Sequence, residues 1–158
     1  MRIHRRVFVF ALSAGMVVGV IRGYSMFLAI LLIERYGLSS SQCGLCLSIL
    51  SVVLDILIPL ILFVVLYRLG KRIDLRSIYV DVSASLFIGC ALAYFFGFVV
   101  GSIINPMSRE MIWADWTSIL EMAAMHGLSH GLYLFFLGFT AIALAYFRSQ
   151  EGQTEGVR

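Results

Sequence analysis

The chain predicts an all-α, polytopic membrane protein built as a four-helix transmembrane bundle, on three observations. Of its 158 residues 61% are hydrophobic and only 13% are charged, with a mean hydropathy of +0.96. A water-soluble domain is nearer half apolar and a quarter charged. Four stretches, at residues 7–33, 46–67, 78–104 and 127–147, each supply the roughly 20 apolar residues that a spanning helix needs. Hydrocarbon offers backbone amides no partner outside the chain, so these spans are helices rather than strands.

The elements follow in order. Span 1 is too long and too glycine-rich to be only a signal-peptide core, and it lacks a cleavage site, so it reads as a retained helix. A short loop, about 34–42, leads into span 2, which Pro59 interrupts. Between spans 3 and 4 lies "NPMSREMIWADWTSILEMAAMH". There Asn105 can cap and Pro106 suits a first helical position. Ile112, Trp116, Ile119, Leu120 and Ala123 share a helical face, which predicts an outer interfacial amphipathic helix over about 106–125 with Trp113 and Trp116 as head-group anchors. Residues 1–148 form the membrane domain, and the polar residues 149–158 are expected to be a disordered tail.

Charge distribution orients the bundle. Arg2, Arg5, Arg6, Arg68, Lys71, Arg72, Arg76 and Arg148 fall on one side, and only Arg35 and Arg109 flank the other. The positive-inside rule puts both termini in the cytoplasm, with the plasma (inner) membrane as the expected location. The net charge of +3 is distributed toward lipid head groups rather than nucleic acid.

Small residues recur every fourth position in two spans: Ala11, Gly15, Gly19 and Gly23, then Ser85, Gly89, Ala93, Gly97 and Gly101. Such stripes let helix backbones approach closely. Spans 1 and 3 run the same way, so the stripes can pack together, or one can serve a second copy.

Ionisable residues at membrane depth are functional candidates. Arg22 in span 1 and Asp55 in span 2 fall near mid-membrane within about one helical turn of each other, and pairing offsets the cost of each. Pro59 cannot donate to the carbonyl of Asp55, which predicts a kink with a free acceptor beside a carboxylate. That arrangement suits a proton, a cation or a polar head group, or a salt bridge that sets helix register. Asp81, nearer the cytoplasmic edge, snorkels or meets Arg76.

His126 and His130, four apart in "MHGLSHG", lie at the outer start of span 4. Two imidazoles need further ligands to hold a metal, and no second set accompanies them. They read as histidines bonded to water or backbone. Cys90 reads as a small buried hydrophobe.

Cys43-Gly-Leu-Cys46 stands at the outer mouth of span 2, where thiols meet an oxidising compartment. In plan the chain resembles the four-span thiol oxidases of the disulfide bond formation protein B family. They share four spans, cytoplasmic termini, a C-x-x-C at the start of span 2 and a membrane-parallel helix before span 4. The resemblance implies a redox pair at Cys43 and Cys46 and a quinone cofactor. The chain departs from that family twice: residues 105–126 hold no second cysteine pair, and residues 47–54 hold no basic residue.

No nucleotide-binding pattern, complete metal set or soluble catalytic domain is present. Without a catalytic set, and with two small-residue stripes, the sequence points first to an accessory or scaffolding subunit that meets the bilayer and other membrane subunits or its own copy. Two further readings stay open: a thiol–quinone oxidoreductase at Cys43 and Cys46, and a small transporter or channel subunit using Arg22 and Asp55.

Overall fold

The structure, a computed structural model, describes residues 2–72, 79–104 and 116–155. Among them lie α1 (Arg2–Tyr36), α2 (Ser40–Val52), a π-helical turn (Val53–Leu57), α3 (Ile58–Arg72), α4 (Tyr79–Ile104) and α5 (Trp116–Glu155), with no strand. The α2–π–α3 segment is one interrupted rod. Four helices are thus long and apolar enough to cross a membrane, the make-up of a multi-pass membrane protein. At 1.5 Å per residue, α1 and α5 run about 50 and 60 Å, so both outreach a hydrocarbon core of about 30 Å.

Local chemistry sets the first turn. Gly37 takes φ +62° and its N–H bonds to the Ile33 carbonyl at 3.0 Å, closing α1 with a left-handed cap that favours glycine. Two residues on, Ser39 caps α2 and Gln42 reaches back to the Ser39 N–H, a reciprocal capping box.

The helices pack in the order α1, α4, α5, α3. α1 and α4 run parallel in backbone contact. A Cβ added at Gly15 would lie 2.5 Å from the Leu86 carbonyl oxygen, one at Gly23 2.5 Å from that of Tyr94, and one at Gly89 2.5 Å from that of Leu12. Gly19, Gly97 and Gly101 line the same interface against Cys90, Val20 and Phe27. α5 returns antiparallel along α4, with Gly127 and Gly131 against the carbonyls of Ala91 and Phe87. Buried Ser83 and Ser85 donate to the carbonyls of Tyr79 and Asp81 one turn back, so neither hydroxyl is left unpaired. Two apolar clusters result. One joins Val18, Leu62, Leu66, Leu86, Cys90 and Leu134; the other joins Phe27, Tyr94, Phe98 and Ala123.

The structure differs from the sequence expectation at both ends of α5. Residues 116–125 are not a separate interfacial helix; they are the first turns of α5. No proline separates them from span 4, and part of their apolar face is used inside the bundle. Ala123 is buried with Phe27 and Phe98, and Ile119 packs beside it. Residues 105–115, with the expected cap Asn105, Pro106 and Trp113, lie outside the described residues, as does Arg76, the expected partner of Asp81. At the other end α5 continues through Glu155, into the stretch expected to be a disordered tail. Gln150, Glu151, Gln153 and Glu155 are good helix formers that extend an existing helix without a new nucleus.

Candidate functional site

The site is built on the break in the second rod. Pro59 has no N–H to give. The chain meets that loss by widening into the π turn, where the Ile58 N–H bonds to the Val53 carbonyl five residues back. The Leu54 carbonyl therefore loses Ile58, its α-helical partner, while its π-helical partner would be Pro59. Arg22 takes it up: Nη2 donates to the Leu54 carbonyl at 3.0 Å. The expected kink is thus a π turn, and its freed acceptor is occupied by the guanidinium from α1. The Asp55 carbonyl faces the Tyr133 hydroxyl of α5, which donates at 3.4 Å.

The same guanidinium pairs with the Asp55 carboxylate. Its Nη1 lies 3.0 Å from His130 Nδ1. A guanidinium only donates, so Nδ1 must accept, and His130 is the neutral tautomer with its proton on Nε2. Ser51, one turn before Asp55, donates to the second carboxylate oxygen at 2.6 Å. Three elements of the bundle thus converge on one guanidinium.

A cavity of about 400 Å³ opens beside this cluster, within the range of small-ligand sites. Its polar lining is Arg22, Ser25, Ser51, Asp55, His126 and His130; Leu47, Leu50, Leu54 and Tyr94 complete it. The Tyr94 ring centroid stands 5.2 Å from that of His130 and 6.3 Å from that of His126, an aromatic wall on one side. The opening lies where, among the described residues, α2 packs on α1 and makes no comparable contact with α4 or α5. Exposure is unequal across the ion pair: 12% of the Arg22 side chain is exposed, against 46% for Asp55. Arg22 is held in the wall and Asp55 faces the cavity. The pair is neutral overall, yet it presents an acceptor in Asp55 and donors in His130 Nε2–H and the remaining N–H groups of Arg22. Such a surface can hold a small polar group by charge-assisted hydrogen bonds.

The structure therefore brings Arg22, Asp55 and Pro59 to one place and adds His130, with His126 in the cavity wall. With span 4 starting at residue 127, both histidines are expected at the outer membrane surface. Counted from Trp116, His130 lies about 20 Å along the helix, at the depth of Asp55. Ser51, Tyr94 and Tyr133 gave no sequence signal, since each is an ordinary residue of an apolar helix. Gly127, Gly131 and Gly138 form a third small-residue row whose spacing of four and seven was legible. Among the described residues no three His, Cys, Asp or Glu side chains gather as they would around a metal.

The cysteines stand apart. Cys43 and Cys46 occupy the first two turns of α2, both as free thiols; Cys43 is buried and Cys46 exposed. Neither lines the cavity. Cys90 is buried in the larger core cluster. Comparison with known protein families, curated proteins and solved structures finds no match to this chain.

Proposed function

We propose that the chain is a small membrane transport protein, or the solute-binding subunit of one, that passes a small polar solute through the Arg22–Asp55–His130 site. One observation carries the reading. A half-exposed carboxylate faces a cavity of about 400 Å³ at a break halfway along a spanning rod, with its counter-ion held in the wall behind it. Non-α backbone at membrane depth is tolerated where it lines a cavity or is buried in protein, and polar groups gathered there mark solute pathways. The basic flanks orient the bundle with both termini in the cytoplasm of a plasma or inner membrane, so that the cavity opens on the outer half.

Access to water tests this without knowledge of the solute. In a variant lacking the three native thiols (Cys43→Ser, Cys46→Ser, Cys90→Ala), Ser51→Cys reports on the cavity. A membrane-impermeant maleimide is expected to label it in right-side-out and in inside-out vesicles. Labelling from neither face, in protein that elutes as a folded species, makes the pair a dry structural bridge. Labelling from one face only leaves a pocket without a pathway. Either result overturns transport.

A second reading, an accessory or scaffolding subunit, is supported by α2. Leu45, Ile49 and Val52 of α2 form an exposed face at helical spacing, continued by Ile56 of the π turn, and among the described helices of the bundle α2 packs mainly on α1. A partner helix could complete that corner. Stoichiometric co-purification of another membrane protein in mild detergent supports this reading, and a monodisperse monomer counts against it.

A further inference from the structure

Two cavities lie on one seam. Ala14, Val18, Arg22 and Ser25 of α1 face the second rod at spacings of three and four, and Leu47, Leu54, Ile58 and Leu62 face back at spacings of seven and four. On one side of the Arg22–Asp55 pair is the polar cavity. On the other is a groove of about 340 Å³ between α1 and α3, in which Ser13 is the sole polar side chain among the described lining. Val17 and Ile61, both more than half exposed, form its rim. α1 packs along α4 and α3 along α5, while α1 stands off from α3, so helix packing leaves this side of the bundle open. The bonds of Arg22 to Asp55 and Leu54 cross the seam between its polar and apolar halves.

We propose that this seam binds a long-chain amphiphile whose head carries both an ammonium and an acidic group, with the head at Asp55 and Arg22 and the chain in the groove. The proposal rests on the polar cavity being a ligand site and names its ligand class. An apolar groove facing lipid gains little by holding an alkyl chain, because bilayer tails are equally apolar. Selectivity must therefore come from the head. The site is a neutral pair with separated charges: Asp55 offers carboxylate oxygens to an ammonium, and the remaining Arg22 N–H groups and His130 Nε2–H are donors suited to an acidic group. A purely anionic head leaves Asp55 facing a like charge, and a purely cationic one does the same to Arg22. A head with both charges satisfies each. The attached chain then holds the head at the right depth and raises its effective concentration there.

The test uses the full chain in dodecylmaltoside with three probes followed by titration calorimetry. They are lysophosphatidylethanolamine, its free head phosphoethanolamine, and lysophosphatidylglycerol, which keeps the phosphate and chain but lacks the ammonium. The first is expected to bind most tightly. Asp55→Asn weakens it about tenfold or more, the loss of a charge-assisted hydrogen bond. Ala14→Phe fills the groove without touching a charge; it is expected to weaken lysophosphatidylethanolamine and leave phosphoethanolamine unchanged. Equal binding of the two lysolipids overturns the proposal. So does tight binding of phosphoethanolamine that the chain does not improve, which would make the ligand a soluble zwitterion. If Asp55→Asn does not fold, Ala14→Phe decides alone. Labelling of Ser51→Cys from both faces without lysolipid binding removes this ligand and leaves transport standing; absence of labelling removes both.

Discussion

At the scale of single residues, Arg22 concentrates the energetics of the membrane interior. An unpaired charge at mid-bilayer costs about 3 kcal/mol or more. Arg22 offsets this with three partners from two other elements: the Asp55 carboxylate, the Leu54 carbonyl and His130 Nδ1. Arg22→Leu is expected to destabilise the chain by about 3 kcal/mol, near the low end for a broken buried pair because Asp55 is half exposed. Adding Asp55→Asn removes the stranded carboxylate and should recover part of the loss. Recovery stays incomplete because the Leu54 carbonyl still lacks a partner, a cost of about 1–3 kcal/mol. Thermal unfolding of the single and double variants in detergent measures this. Strictly additive losses would mean that the two side chains are not coupled. The ion pair could be read from the sequence because both charges sit at matching depth in adjacent spans. His130 could not, since its depth depends on where α5 begins and its neighbour on which helix packs beside it.

At the scale of elements, spacing decides what was legible. A small residue at every fourth position is a local property, so the α1 and α4 stripes stand out in the sequence, and in the structure both lie at one parallel interface. That contact is backbone against backbone, which makes it intolerant of a single methyl group. Gly89→Ala would place a carbon 2.5 Å from the Leu12 carbonyl oxygen, and the forced separation should cost about 1–3 kcal/mol. Gly44, on α2, has nothing within 4 Å of an added Cβ. Gly44→Ala should therefore be neutral, or stabilising by up to about 1 kcal/mol through helix propensity. Comparing the melting temperatures of the two variants checks the assignment, and equal shifts would place the α1–α4 contact elsewhere. The π turn was legible only in its cause. Pro59 announces a missing donor, but whether the backbone kinks or widens depends on what lies opposite. Here a guanidinium waits for the Leu54 carbonyl, so widening leaves no acceptor stranded.

At the scale of the whole molecule, the bundle is closed along α1–α4–α5–α3 and open between α1 and α3. Hydrophobicity alone marks four spans, but it carries no information about which edges close, because each span is apolar on every side. The positive flanks do carry orientation, and the cysteines offer a direct way to read it. Cys46 is exposed near the start of α2, whereas only 3% of Cys43, three residues earlier, is exposed. With the termini in the cytoplasm, an impermeant maleimide added to intact cells should modify each chain once, at Cys46. The label should disappear in Cys46→Ser and persist in Cys43→Ser. Prior treatment with a membrane-impermeant reductant should leave the extent of labelling unchanged, because the two thiols are free in the fold. A rise after reduction would mean that Cys43 and Cys46 are bonded to each other in the membrane, and would return thiol redox chemistry to the mouth of this rod. Labelling only in inside-out vesicles would invert the bundle, and the polar cavity would then open toward the cytoplasm.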